Sequence, residues 1–192
     1  MHSQASPSHA QVIARTRHWL ERAVIGLNLC PFAKAVHAKG LIRYVVSPAH
    51  DDESLLDDLQ RELLTLRSTP AEEVDTTLLI HPWALTDFSD FLRFLDLVEV
   101  VLQTHRLRGV LQVASFHPDY VFADSAADDL TNCTNRSPFP TLHLLREASL
   151  DRAVAAFPEA ATIYERNLRT LRQLGDEGWQ ALQTAVPLVA KE

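Results

Sequence analysis

Three short apolar runs in this chain each stop at a proline. Residues 41–46 end at Ser47-Pro48, residues 76–80 at His81-Pro82, and residues 110–116 at His117-Pro118. The prolines stand 34 and 36 residues apart, which is room for a strand, a helix and their connections. A residue before proline is pushed to extended geometry and proline removes a ladder donor, so each run reads as a strand that ends there. Between the first two runs, Asp51, Asp52 and Glu53 precede a stripe of Leu55, Leu56, Leu59, Leu63 and Leu66. Between the second and third, Asp87 or Ser89 can cap a helix carrying Phe88, Phe91, Leu92, Leu95, Val98 and Leu102. Both stripes have the period of an amphipathic helix, with acid at its positive end. Strands alternating with helices predict parallel neighbours.

The expected fold is therefore α/β, a small, mainly parallel sheet of three or four strands with helices packed on it. The alternative is α+β, with residues 120–122 adding an antiparallel edge strand. Residues 1–9 read as a loose polar tail and residues 10–190 as one globular domain. A helix is expected from about Gln11, a short one over residues 32–38, and two or three more from about Thr141 to the carboxy terminus. Val154, Phe157, Leu168, Leu171 and Leu174 supply the apolar positions of these last helices.

Composition narrows the function. Eighteen basic residues face 25 acidic ones, for a formal charge of −7, and binding nucleic acid needs a basic surface that displaces counterions. No apolar run exceeds the five residues 153–157, too short to span a bilayer. The amino terminus lacks the apolar core of a secretory signal. The two cysteines lie 103 residues apart, with no metal or redox spacing, so two free thiols and a cytoplasmic setting are expected. The five glycines write neither a dinucleotide fingerprint nor a phosphate-binding loop.

The candidate chemistry sits at two places. If the strands run together, Ser47, His81 and His117 share the carboxyl edge of the sheet, where open α/β sheets place ligands. His81 and His117 are then candidate acid–base groups, and they can equally be strand terminators satisfied by backbone. The 117–140 segment is long for a loop without function and carries its own apolar anchors. Tyr120 could support it or donate a proton. Asn132, Asn135, Arg136 and Ser137 crowd together just ahead of an expected helix start near Thr141 that carries His143 and Arg146. Free helix N–H groups beside a guanidinium make an anion site; the alternative is Arg136 paired with one of the loop aspartates. Cys30 and Cys133 are possible reactive thiols or buried apolar groups. A zinc site drawn from Cys30, His81, His117, Cys133 and His143 has no tight spacing behind it, so no metal is assigned.

Asn28-Leu29-Cys30-Pro31-Phe32, Phe116-His117-Pro118, Asn135-Arg136-Ser137-Pro138 and His143-Leu144-Leu145-Arg146-Glu147 resemble the pattern of domain of unknown function 1415. The resemblance covers most of the chain and implies a bacterial protein, without implying an activity, substrate or cofactor. Two classes of function stay open on the residues. One is an enzyme acting on a small anionic metabolite, a phosphate or carboxylate held by Arg136 and Arg146. The other is a non-catalytic domain that binds a metabolite or a protein partner. The cofactor and the oligomeric state are unspecified by the sequence.

Overall fold

A computed structural model of the chain describes residues 6–156 and 162–184. Strands β1 (Ile42–Val46), β2 (Thr76–Ile80), β3 (Leu111–Phe116) and β4 (Thr141–Arg146) form one sheet in the order β1-β2-β4-β3. β1 pairs parallel with β2, and β4 pairs antiparallel with both β2 and β3. The first three strands therefore point the same way, and Ser47, His81 and His117 share one edge, as the prolines predict. The sheet is mixed, however, with one parallel pair rather than mainly parallel pairing.

Around it lie α1 (His9–Trp19), α2 (Ala33–Ala38), α3 (Asp52–Ser68), α4 (Phe88–Thr104), α5 (Glu147–Ala155) and α6 (Ile163–Thr184). Asp51 caps α3 by accepting from the Ser54 N–H, and Asp87 caps α4 by accepting from those of Ser89 and Asp90. Such caps are worth about 1 kcal/mol each. α3 and α4 cover one face of the sheet, where Leu55, Leu59, Leu63, Phe91 and Phe94 pack on Leu79, Leu142 and Leu144. The two leucine- and phenylalanine-rich stripes face the core as expected, except at Leu92, which is exposed.

α1 covers the opposite face and begins at His9, two residues earlier than expected, behind a reciprocal cap between Ser8 and Gln11. Of the rest of the expected tail, residues 6–8 carry no regular structure and residues 1–5 lie outside the described residues. Val12 packs on Leu78, Ile80 and Phe139, and Trp19 meets Phe116 edge-on at 5.3 Å. α1 then widens into a π-helical turn, Leu20–Ile25. Gly26 closes that turn, its N–H reaching the Glu21 carbonyl at 3.0 Å. A Cβ at Gly26 would fall 2.3 Å from the Arg22 carbonyl oxygen, so only glycine fits. α6 lays Leu171 and Trp179 against Trp19, Leu20 and Cys133.

Two expectations are corrected. Residues 120–122 form no strand; the antiparallel strand is residues 141–146, in the middle of the sheet, where a helix start was expected. Leu142 and Leu145 have helical spacing, yet the segment carries apolar side chains on both faces. A central strand covered on both sides shows no clean alternation, so its pattern does not tell strand from helix. Phe157 and Pro158, read as part of the carboxy-terminal helices, lie outside the described residues.

Candidate functional site

The insertion of β4 separates the two arginines of the expected anion site. Thr141 pairs with Ile80 and Phe116 at the carboxyl edge, whereas Arg146 pairs with Leu111 at the opposite edge. Five strand steps of about 3.3 Å put roughly 17 Å between the ends of β4. No helix starts at Thr141; α5 starts at Glu147, beyond the strand. Arg136 and Arg146 therefore do not converge on one ligand at a helix terminus.

Each arginine instead holds backbone. Arg136 donates from Nε to the Tyr120 carbonyl at 3.1 Å and from Nη2 to the Ala127 carbonyl at 2.7 Å. It braces the 117–140 loop, through carbonyls rather than the loop aspartates. Arg146 donates from Nε to the Val74 carbonyl and from Nη2 to those of Leu66, Thr69 and Val74, which fastens the end of α3 to the start of β2. The loop amides act alike. Asn132, fully buried, accepts at Oδ1 from the Phe122 N–H and the Ser125 hydroxyl and donates from Nδ2 to the Ala126 carbonyl. Asn135 donates to the Ser115 carbonyl, and Ser137 to that of Phe139. Tyr120 packs on Phe88 and Phe122 with ring centroids 5.2 and 5.0 Å away.

Replacement of Arg136 by Lys tests the brace. An ammonium cannot reproduce the planar fork that reaches two carbonyls at once. Arg136→Lys is expected to cost about 1–2 kcal/mol and to lower the melting temperature by about 3–6 °C. A thermal melt indistinguishable from the parent would show that the fork carries no stability.

At the carboxyl edge, the His81 and His117 rings pack on Phe91 with centroids 5.8 and 5.2 Å away. His81 Nδ1 donates to the Ala84 carbonyl at 2.9 Å. His117 accepts the Asp119 N–H at Nδ1, so its Nε2 carries the proton that goes to the Leu85 carbonyl at 3.2 Å. The two imidazoles together hold the 84–85 turn, where Leu85 sits at φ 54°, a left-handed backbone that costs energy for a branched side chain. Burial pushes the His81 pKa down to about 4 and lowers that of His117. His81 Nε2 is sealed in without a partner.

The open space lies on the other face, toward the opposite edge. A cavity of about 490 Å³ is floored by Ile42, Thr76, Leu78, Ala114, Phe116, His143 and Leu145 of the sheet. Trp19, Leu20 and Val24 of α1 and its π-helical turn form one wall, Cys30 to Val36 another, and Ser149, Leu150 and Ala153 of α5 with Ala156 just after it the third. Asp75 stands at the floor's margin and accepts a 2.6 Å hydrogen bond from the Ser149 hydroxyl. His143 lies in the centre of the floor, its Nε2 2.7 Å from the Thr76 hydroxyl, and burial lowers its pKa to about 4. Neutral imidazole is the resting form of both His81 and His143.

Both cysteines are free. Cys30 lines the cavity; burial raises its pKa against the lowering effect of hydrogen bonds from the Ala33 and Phe32 backbone. Cys133 is buried between Trp19, Leu171 and Trp179, and burial raises its pKa over the opposing influence of Arg136. Among the described residues, no three His, Cys, Asp or Glu side chains are close enough to hold a metal ion. No described helix is long and apolar enough to cross a membrane.

Of the expected site residues, only His143, Arg146 and Cys30 border the cavity. Sequence reading missed Thr76, Asp75 and Ser149, and it missed the walls from α1 and α5. The structure alone shows the π-helical turn, a feature that often marks a functional place, and the left-handed Asn28 at φ 53° just after it. No curated protein and no solved structure matches the chain. The model of one family, described as "Protein of unknown function (DUF1415)", matches residues 11–181, and the chain belongs to that family.

Proposed function

We propose that this protein binds a small, mostly apolar molecule in the cavity between the sheet, the π-helical turn and α5. The cavity carries the reading. Its volume of about 490 Å³ falls in the range of ligand pockets, which are mostly apolar with a few placed polar groups. Leu20, Val24, Phe116, Leu145 and Leu150 give much of the apolar lining, and His143, Thr76, Asp75, Ser149 and Arg146 give the polar points. The irregular backbone of the π-helical turn along one wall supports the same choice.

An enzyme acting on a small anion, the reading expected from the sequence, has less support. Such a site needs a cation in contact with the ligand. Arg136 faces the loop carbonyls at the far edge, and Arg146 commits Nε and Nη2 to carbonyls. The test uses two uncharged bicyclic arenes, indole and benzothiophene, in thermal melts. Saturation with at least one is expected to raise the melting temperature by about 3–6 °C, because a ligand selective for the native state stabilises it. Ala114→Leu, which adds side chain to the cavity floor, should abolish the shift. No shift with either compound overturns the reading.

A further inference from the structure

The hydrogen bonds beneath the cavity fix which proton His143 carries. Thr76 Oγ1 lies 2.6 Å from the Leu144 carbonyl oxygen and 2.7 Å from His143 Nε2. A hydroxyl has one proton to give, a carbonyl can only accept, and an imidazole nitrogen can do either. The Thr76 proton therefore goes to Leu144, and Nε2 must donate its own to Thr76. This leaves Nδ1 as a bare lone pair. It has no partner among the described residues and, unlike Nε2 of His81, it is not sealed in. The ring that bears it is part of the cavity floor.

Three features around that nitrogen limit what can sit there. The ring is neutral, since its pKa lies near 4, so it offers an anion a repelling lone pair instead of a charge. The carboxylate of Asp75 stands on the same floor, already joined to Ser149. Arg146, also in the lining, gives Nε and Nη2 to backbone carbonyls; most of the other lining groups are aliphatic or aromatic, and leaving a charged head among such groups without a partner is costly. A bare acceptor in an apolar box asks for a donor that carries no charge.

On the cavity reading above, we propose that the ligand is an uncharged, largely hydrocarbon molecule with one O–H or N–H group, such as a phenol or an indole, which donates to Nδ1 of His143. The donor hydrogen bond fixes orientation; the hydrocarbon body supplies the affinity.

The test compares indole with benzothiophene, which has the same shape and no donor, and with benzothiophene-2-carboxylate, by calorimetric titration of the parent and His143→Phe. Benzothiophene is the more hydrophobic, so the ratio of the two affinities is the quantity read. From parent to His143→Phe, indole should lose about tenfold relative to benzothiophene, the scale of one net hydrogen bond. An unchanged ratio overturns the donor while the cavity reading stands. Tighter binding of the carboxylate than of indole overturns it in favour of an anion site. Failure of all three to bind the parent overturns the cavity reading and this inference with it. Histidine side-chain nitrogen NMR of the parent makes the test independent of the variant's folding. His143 should show a protonated Nε2 and a bare Nδ1, and the Nδ1 signal should move with indole and not with benzothiophene. The reverse tautomer overturns the proposal.

Discussion

Acidification through the window between about 6.5 and about 4 should remove several kcal/mol of stability, because His81 and His143 titrate at about 4 in the fold. In the unfolded chain both rings take up protons near 6.5. Above that value neither state is charged, and the pair makes no difference. Below it the unfolded chain gains protons that the folded chain refuses, so stability falls as the pH falls. The slope reaches about 1.4 kcal/mol per pH unit per histidine, and two together give a loss on the order of 5 kcal/mol across the window. His117, also lowered by burial, adds in the same direction. Asp51 and Asp129, held below their ordinary 3.8 by backbone hydrogen bonds from Ser54 and Thr131, lose their contribution only at lower pH. Urea unfolding at successive pH values reads the slope, and His143→Phe should remove nearly half of it. A free energy that stays level from neutral pH to about 4 would contradict the buried neutral state of both rings.

Arg146→Met is expected to cost about 3 kcal/mol or more. The guanidinium joins carbonyls from Leu66 at the end of α3, Thr69 just after it, and Val74 before β2. The Leu66 and Thr69 oxygens would otherwise be helix-end acceptors without partners in a half-buried place. A hydrogen bond from a charged donor is worth about 1.5–3 kcal/mol, and the bonds share one side chain, so they do not add in full. Methionine keeps the stem and removes the donors. Arg146→Lys should recover part of the loss, since an ammonium has three donors without the planar spread. Chemical denaturation of the three proteins gives the ranking; parent-like stability in Arg146→Met would show that water satisfies these carbonyls equally well.

The first three strands and the two helices between them were legible because their signals are local. A proline ends each strand, an aspartate opens each helix, and the leucines and phenylalanines repeat with the right period. β4 was not legible, because its burial depends on both neighbours and both covering layers. His81 and His117 were placed at the correct edge by the prolines. Their partners were not foreseeable, since Ala84 and Leu85 lie in a turn whose left-handed residue is a leucine, a residue that gives no warning of it. Arg136 stood out as an anion ligand for the reason that makes it a brace: a planar fork of donors suits two carbonyls as well as two phosphate oxygens. The cavity was invisible because its walls come from separated segments. Each reads as ordinary core, and only the assembled distances show that they stop short of one another.

The place of β4 also sets an order in time. β2 and β3 never pair with each other; β4 lies between them and pairs with both. A chain emerging from the ribosome can join β1 to β2 early. It must then carry β2 and β3 as two unpaired edges until residues 141–146 arrive, with Thr76 waiting for Leu145 across 69 positions. Unpaired edges invite other chains, and distant pairings close slowly. The half-made protein is therefore most exposed to wrong association just before its last strand is synthesised, and translation halted ahead of residue 141 leaves a sheet with its central strand missing.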